Sequence, residues 1–180
     1  FIIEILSYAK SKNLTLLDIL SKIYSDNEVG FFVTHRKELP ETGIFEGISG
    51  EFHLEEILKN VENFCAHATQ KIKDNEPILI CNLPISNIKK YSTGRYDEKF
   101  WKGFPDEGIR FLLDSETNHI TIRSSGTEPK LRIFVQYRVT DLDKNNLFEK
   151  KDSAEYLVKE LSNEMDKMIN LEKGKKFAAS

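Results

Sequence analysis

Residues 108–139 read GIRFLLDSETNHITIRSSGTEPKLRIFVQYRV, and this stretch decides the fold. Three segments within it favour β structure: Gly108 to Asp114, His119 to Arg123 and Leu131 to Val139. The second and third alternate apolar and polar residues, which is typical of strands that bury one face. Between the first two lies Ser115–Asn118, a tetrapeptide of turn-forming residues that predicts a hairpin. We therefore expect three consecutive antiparallel strands.

The segments on either side extend this sheet and add helices. A strand is predicted over Val29–Leu39, which is rich in Phe and Val, and another over 78–83. Apolar residues at helical spacing predict a long helix over Phe52–Ile72 and a last helix from Asp152, with Glu155 completing a capping signal. The order after residue 28 is then β-α-β-β-β-β-α. It predicts an α+β fold, a mostly antiparallel four- to five-stranded sheet with two helices on one face.

The chain divides at a polar break around residues 25–28. Residues 1–26 are expected to hold two amphipathic helices, the second capped by Thr15 and Asp18. The first begins without Met or a capping residue, so we expect these helices to close an incomplete preceding domain. Residues 27–171 are predicted to form the main domain and 172–180 a frayed tail. Within the main domain, a polar and aromatic connection over 84–107 and a charged linker over 140–151 are expected.

Composition excludes several classes of protein. The formal net charge is −3, without the basic excess that nonspecific nucleic-acid binding requires, so we expect no nucleic-acid partner. No apolar run approaches the roughly 18–20 residues that span a bilayer, so no membrane partner is expected either. Cys65 and Cys81 lie far apart and outside any CxxC spacing. The four histidines are scattered, so no metal site is expected. These features predict a cytoplasmic protein.

The segment between the second and third predicted strands, RSSGTEPKLR from Arg123 to Arg132, has the features of an anion site. Gly126 can take a positive φ and turn successive N–H groups toward one point. Ser125 and Thr127 add hydroxyl donors, and the guanidinium of Arg123 matches the oxygens of a phosphate. Residues 121–138 carry four cations against Glu128 alone. Spacing alone leaves open the alternative of a plain polar turn with a solvated charge cluster.

Residues Ile122 to Phe134 resemble the C-terminal signature of the phosphoglucomutase and phosphomannomutase family, commonly written R-P-S-G-T-E-P-K-[LI]-[RK]. The chain departs from it at Ser124, where proline is usual. The similarity extends in order to residues 107–111, 91–94 and 1–24, the last resembling the closing helices of the family's third domain. The chain is thus identified as resembling a C-terminal fragment of an α-D-phosphohexomutase.

This resemblance implies a fold similar to the TATA-box-binding protein, as in the family's fourth domain. It also implies that the non-reacting phosphate of the substrate is held by Arg123, Ser125, Gly126 and Thr127. Supporting roles fall to Ser124, Lys130 and Arg132. The family's phosphoserine, its Mg²⁺-binding aspartates and its sugar-reading loop belong to earlier domains, and no stretch here matches them. We therefore expect no catalytic residue and no metal in this chain, and no activity from it alone.

The implied parent enzyme interconverts hexose 1-phosphate and 6-phosphate through a bisphosphate. Its partners would be glucose or mannose phosphate, Mg²⁺ bound outside this chain, and the missing domains 1–3. Two alternatives stay open: a phosphoglucosamine mutase or phosphopentomutase of the same family, and a standalone sugar-phosphate-binding module. A nucleic-acid binder is suggested by fold analogy alone, and the net charge argues against it.

Overall fold

A computed structural model describes residues 1–26, 28–92, 104–125 and 128–169 of the chain. The helices are α1 (Ile2–Ser11), α2 (Leu16–Tyr24), α3 (Gly47–Lys73) and α4 (Leu147–Ile169). The strands are β1 (Phe31–Leu39), β2 (Leu79–Ile80), β3 (Leu83–Pro84), β4 (Asn87–Tyr91), β5 (Gly108–Leu112), β6 (His119–Ser124) and β7 (Leu131–Val139).

Five of the strands form one sheet in the order β1-β7-β6-β5-β4. Every neighbouring pair in it is antiparallel. This confirms the predicted α+β fold, including the strand that begins the main domain and the three consecutive strands of residues 108–139. The hairpin at Ser115–Asn118 is also confirmed, because Leu113 N–H donates to Asn118 O at 2.9 Å where β5 leads into β6.

The prediction of a sheet strand over 78–83 is wrong. Cys81 and Asn82 both take a positive φ (46° and 64°), so the chain reverses there and β2 pairs only with β3. The fifth strand of the sheet is instead β4, within the segment expected to be a connection. Its alternation of apolar and polar residues is weak because β4 is an edge strand, in which Lys89 is half-buried and Lys90 is exposed.

The two faces of the sheet differ sharply. Helices α3 and α4 lie on one face, where their buried residues join those of the strands in a single core. Residues two apart along a strand share a face, and the registers place the fully buried centre of this face at Ile109, Phe111, Ile120, Ile122, Ile133 and Val135. The strand residues between them lie on the opposite face, which we call the open face.

The open face carries most of the arginines of the sheet. Its row nearest the β6–β7 loop runs from β1 across the sheet as Glu38, Arg132, Arg123, Gly108 and Tyr91. The next row contains Arg36, Phe134, Thr121, Arg110 and Lys89. The open face therefore presents charged side chains beside the end of the sheet that bears the predicted phosphate loop.

The helices before the sheet match their predicted ranges. Thr15 and Asp18 form the expected capping box of α2, with Thr15 Oγ1 accepting from Asp18 N–H at 3.1 Å. The ring of Tyr24 lies 4.8 Å from that of Phe31, which joins α2 to β1. By contrast, α1 buries Ala9 alone. The structure does not test the predicted division at residue 26.

The last helix begins earlier than predicted. Asp152 and Glu155 lie inside α4, which starts at Leu147. In the loop before α4, the Oδ1 atom of Asp143 accepts hydrogen bonds from the N–H groups of Asn145 and Asn146 at 2.6 and 3.0 Å. The long helix likewise begins at Gly47 rather than Phe52. Among the described residues, no helix is long and apolar enough to cross a membrane.

Candidate functional site

The β6–β7 loop joins two central strands at one end of the sheet, as predicted. Ser124 ends β6 and Leu131 begins β7 opposite it. The loop closes through a hydrogen bond from Ser125 N–H to Lys130 O at 2.8 Å. Gly126 and Thr127 lie outside the described residues. The backbone nest expected at Gly126, and the phosphate role of both residues, stay predictions.

The two serines of the loop are buried. Ser124 is 2% exposed and stands opposite Leu131 on the helix-covered face, and Ser125 is 1% exposed. The hydroxyl of Ser125 has no hydrogen-bond partner among the described parts of the chain. A buried hydroxyl without a partner is costly. A ligand could therefore complete the bonding of the Ser125 side chain.

Arg123 lies on the open face with 42% of its side chain exposed. Its Nη2 is 3.4 Å from Oε2 of Glu107 and 3.5 Å from Oε1. Within the described ranges, its Nε and Nη1 donate to no other group. Glu107 thus contacts one terminal nitrogen, Nη2, while Nε and Nη1 keep N–H groups that can donate to an anion.

Arg123 and Glu107 are brought together by Gly108. This glycine has φ +95°, and a Cβ there would lie 2.3 Å from Ile122 O and 3.1 Å from the Cβ of Arg123. Only glycine allows so close an approach of β5 to β6 at this point. Glu107 itself is fixed by its N–H, which donates to Tyr91 O at 3.1 Å.

The two supporting cations face a second carboxylate. Glu38 of β1 accepts from Arg132 Nε at 3.1 Å and lies 3.6 Å from Lys130 Nζ. The hydrogen bond from Arg132 is the main reason why the pKa of Glu38 is held below its usual value, with Lys130 and Arg36 adding to it. Lys130 also pairs with Glu128 at 3.3 Å.

The excess of positive charge that was counted along the sequence is not found around the loop in the folded chain. Arg138 lies at the far end of β7, over the ring of Phe32. Around the loop, the cations Arg123, Lys130 and Arg132 face the carboxylates Glu38, Glu107 and Glu128. Sequence reasoning missed Glu38 and Glu107 as parts of the site. The resemblance at residues 107–111 was the one signal that pointed to Glu107.

Other kinds of site find little support. No group of three or more His, Cys, Asp or Glu residues within the described ranges could hold a metal ion. Burial is the chief cause that raises the pKa of both Cys65 and Cys81 to about 12, so neither thiol is a thiolate nucleophile at neutral pH. Cys65 is a buried core residue of α3. Tyr96 and Trp101, the aromatic residues of the connection expected over 84–107, lie outside the described residues.

Comparison with known proteins gives one relative. A phosphoglucomutase of Staphylococcus haemolyticus (strain JCSC1435) is 26% identical over 147 residues, which is 79% of this chain and 24% of that protein. No family model matches the chain, and no solved structure matches it. The chain is therefore similar to part of a phosphoglucomutase and spans about a quarter of the length of that relative.

Proposed function

We propose that this chain is the substrate-phosphate-binding domain of a hexose-phosphate mutase, a phosphoglucomutase or phosphomannomutase. The β6–β7 loop holds the phosphate that is not reacting, with Arg123, Ser125, Gly126 and Thr127 as its ligands and Ser124, Lys130 and Arg132 around them. The observation that carries the proposal is Arg123, which lies at the start of the loop and whose Nε and Nη1 donate to no described residue.

Two further observations support this site. The hydroxyl of Ser125, two residues from Arg123, is buried and lacks a partner among the described residues. The loop is also hydrogen-bonded to the segment before α3, because Phe45 N–H donates to Pro129 O at 3.0 Å. A loop supported in this way can present donors to an anion without contacting a sugar ring. Such a site accepts a hexose phosphate in either orientation.

The rest of the proposal concerns the parent enzyme. The parent interconverts hexose 1-phosphate and 6-phosphate through a bisphosphate, and its phosphoserine and Mg²⁺ lie in preceding domains. The sequence similarity to a phosphoglucomutase, over a quarter of its length, supports this division. The proposal includes a cytoplasmic location, supported by two cysteines that are free thiols.

Titration of the ¹⁵N-labelled chain with inorganic phosphate, followed by NMR, tests the site. We expect the amides of residues 124–128 to shift first, with weak affinity because the other domains contribute the rest of the site. Arg123→Ala should cost roughly 1.5–3 kcal/mol of that affinity, about 10- to 150-fold in Kd, because it removes a charge-assisted contact.

Arg138→Ala is the matched control, since Arg138 is an open-face arginine at the far end of β7, away from the loop. It should leave the affinity nearly unchanged. Largest shifts at another part of the chain, or equal effects of the two substitutions, would show that the loop is not the phosphate site.

A further inference from the structure

Glu107 is a charged group that the proposed site does not use, although it touches the main cation of that site. Its two carboxylate oxygens lie 3.5 and 3.4 Å from a single nitrogen of Arg123, Nη2. A carboxylate that only neutralised the charge of the guanidinium would be expected to contact two of its nitrogens at once, because that bidentate pairing is the strongest. The contact at a single nitrogen instead orients Arg123 and leaves the N–H groups of Nε and Nη1, which donate to no described residue, to another ligand.

The turn that carries Glu107 is well anchored on both sides. Its N–H donates to Tyr91 O at 3.1 Å and to Oδ1 of Asp106 at 3.1 Å, and Asp106 is 7% exposed. The next N–H, that of Gly108, donates to Pro105 O at 2.9 Å. The carboxylate therefore projects from a backbone that is fixed before any ligand arrives, which is what a preorganised site requires.

We propose that Glu107 is a positioning residue, which holds Nη2 of Arg123 so that the N–H groups of the other guanidinium nitrogens can donate to the substrate phosphate. This inference rests on the proposed function of the loop. A long side chain that is held in one rotamer loses less conformational freedom on binding. Glu107 thus offsets part of the entropy cost of immobilising Arg123, while its negative charge acts against the phosphate.

These two effects are separated by comparing Glu107→Gln with Glu107→Ala. Both variants lack the charge, but glutamine keeps an oxygen that can accept from Nη2. Titration with inorganic phosphate at fixed ionic strength should give a Kd that is about three- to tenfold higher for the alanine variant than for the glutamine variant, the worth of one ordinary hydrogen bond. Glu107→Asn, which is also uncharged but one methylene shorter than glutamine, serves if the alanine variant does not fold.

Glu116 provides the matched control, because its ion pair with Lys89 on the same sheet also has a separation of 3.4 Å. The pair Glu116→Ala and Glu116→Gln should share one Kd. Equal Kd values for the two Glu107 variants, or a tighter alanine variant, would overturn the positioning role.

A second measurement needs no phosphate. The ¹H–¹⁵N heteronuclear NOE of Arg123 Nε should fall in Glu107→Ala and be largely kept in Glu107→Gln. An unchanged NOE in the alanine variant would also overturn the inference. If phosphate does not shift the loop amides of the unmodified chain, the proposed function fails instead, and the NOE still decides whether Glu107 holds Arg123.

Discussion

Gly108 fixes the distance between β5 and the strand that leads into the loop. Its φ of +95° lies where side chains are rarely tolerated, and its position beside Ile122 O leaves no room for a Cβ. Arg123 follows Ile122 directly, so the close approach also sets where Arg123 stands. Gly108, which has no side chain, thus determines where the charged side chain of Arg123 lies.

The first prediction compares Gly108→Ala with Gly43→Ala. Gly43 also has a positive φ, +73°, but a Cβ there would meet nothing within 4 Å. Alanine should therefore cost about 1–2 kcal/mol of unfolding free energy at Gly43, from backbone conformation alone. At Gly108 the contact with Ile122 O at 2.3 Å adds to that cost, and we expect about 3 kcal/mol or more.

Urea unfolding of the two variants measures both costs. A Gly108→Ala chain that fails to fold, beside a folded Gly43→Ala chain, would agree with the expectation. Equal losses at the two positions would mean that β5 and β6 can separate at Gly108 without cost, and that the close approach does not hold Arg123 in place.

Part of the site could not be predicted from sequence because its charges are paired over long separations in the chain. The cations near the signature are visible as a run, yet Glu38 lies 94 positions before Arg132, its partner at 3.1 Å. Only the strand order β1-β7-β6 brings these two side chains together. A local pattern can therefore propose the loop and its cations, but it cannot give the net charge around them.

At the scale of secondary-structure elements, the ranges predicted from sequence were most accurate for strands that bury one face. The strands β6 and β7 alternate because α3 and α4 cover one side of them, so their ranges were predicted nearly to the residue. The edge strand β4 has only half-buried and exposed residues, and its pattern gave no signal. The apolar run at 78–81 was mistaken for a sheet strand because positive φ angles at Cys81 and Asn82 have no apolar signature.

The second prediction concerns the start of α4. Asp143 accepts two backbone N–H groups before the helix, whereas Asp152, the expected cap, lies inside it. Asp143→Ala should thus destabilise the chain by about 1 kcal/mol, the usual cost of a lost cap. Asp152→Ala should be neutral or slightly stabilising, because alanine is the best helix former. Thermal or urea unfolding distinguishes the two positions, and a larger loss at Asp152 would restore the sequence-based boundary.

At the scale of the whole molecule, the helices differ in how much of their surface they bury, and α1 is the least buried of them. It buries Ala9 alone, while Phe1, Ile2 and Ile3 are each more than 70% exposed. The sheet domain, in contrast, shares one continuous core with α3 and α4. The function proposed for the chain accordingly rests on the sheet domain, and the catalytic groups are assigned to other domains of the parent.

The last prediction follows from that assignment. Phosphoryl transfer requires a nucleophile that carries the phosphate and a metal that neutralises charge as it moves. In the proposed function the loop holds a phosphate, but binding one end of a sugar without a nucleophile at the other gives no turnover. We expect the isolated 180-residue chain to show no mutase activity with glucose 1-phosphate or mannose 1-phosphate in a coupled assay with Mg²⁺. The parent should interconvert the 1- and 6-phosphates. Arg123→Ala in it should lower kcat/KM by roughly tenfold or more, and Arg138→Ala should not. Turnover by the isolated chain, or a parent unaffected by the loss of Arg123, would contradict this division of labour.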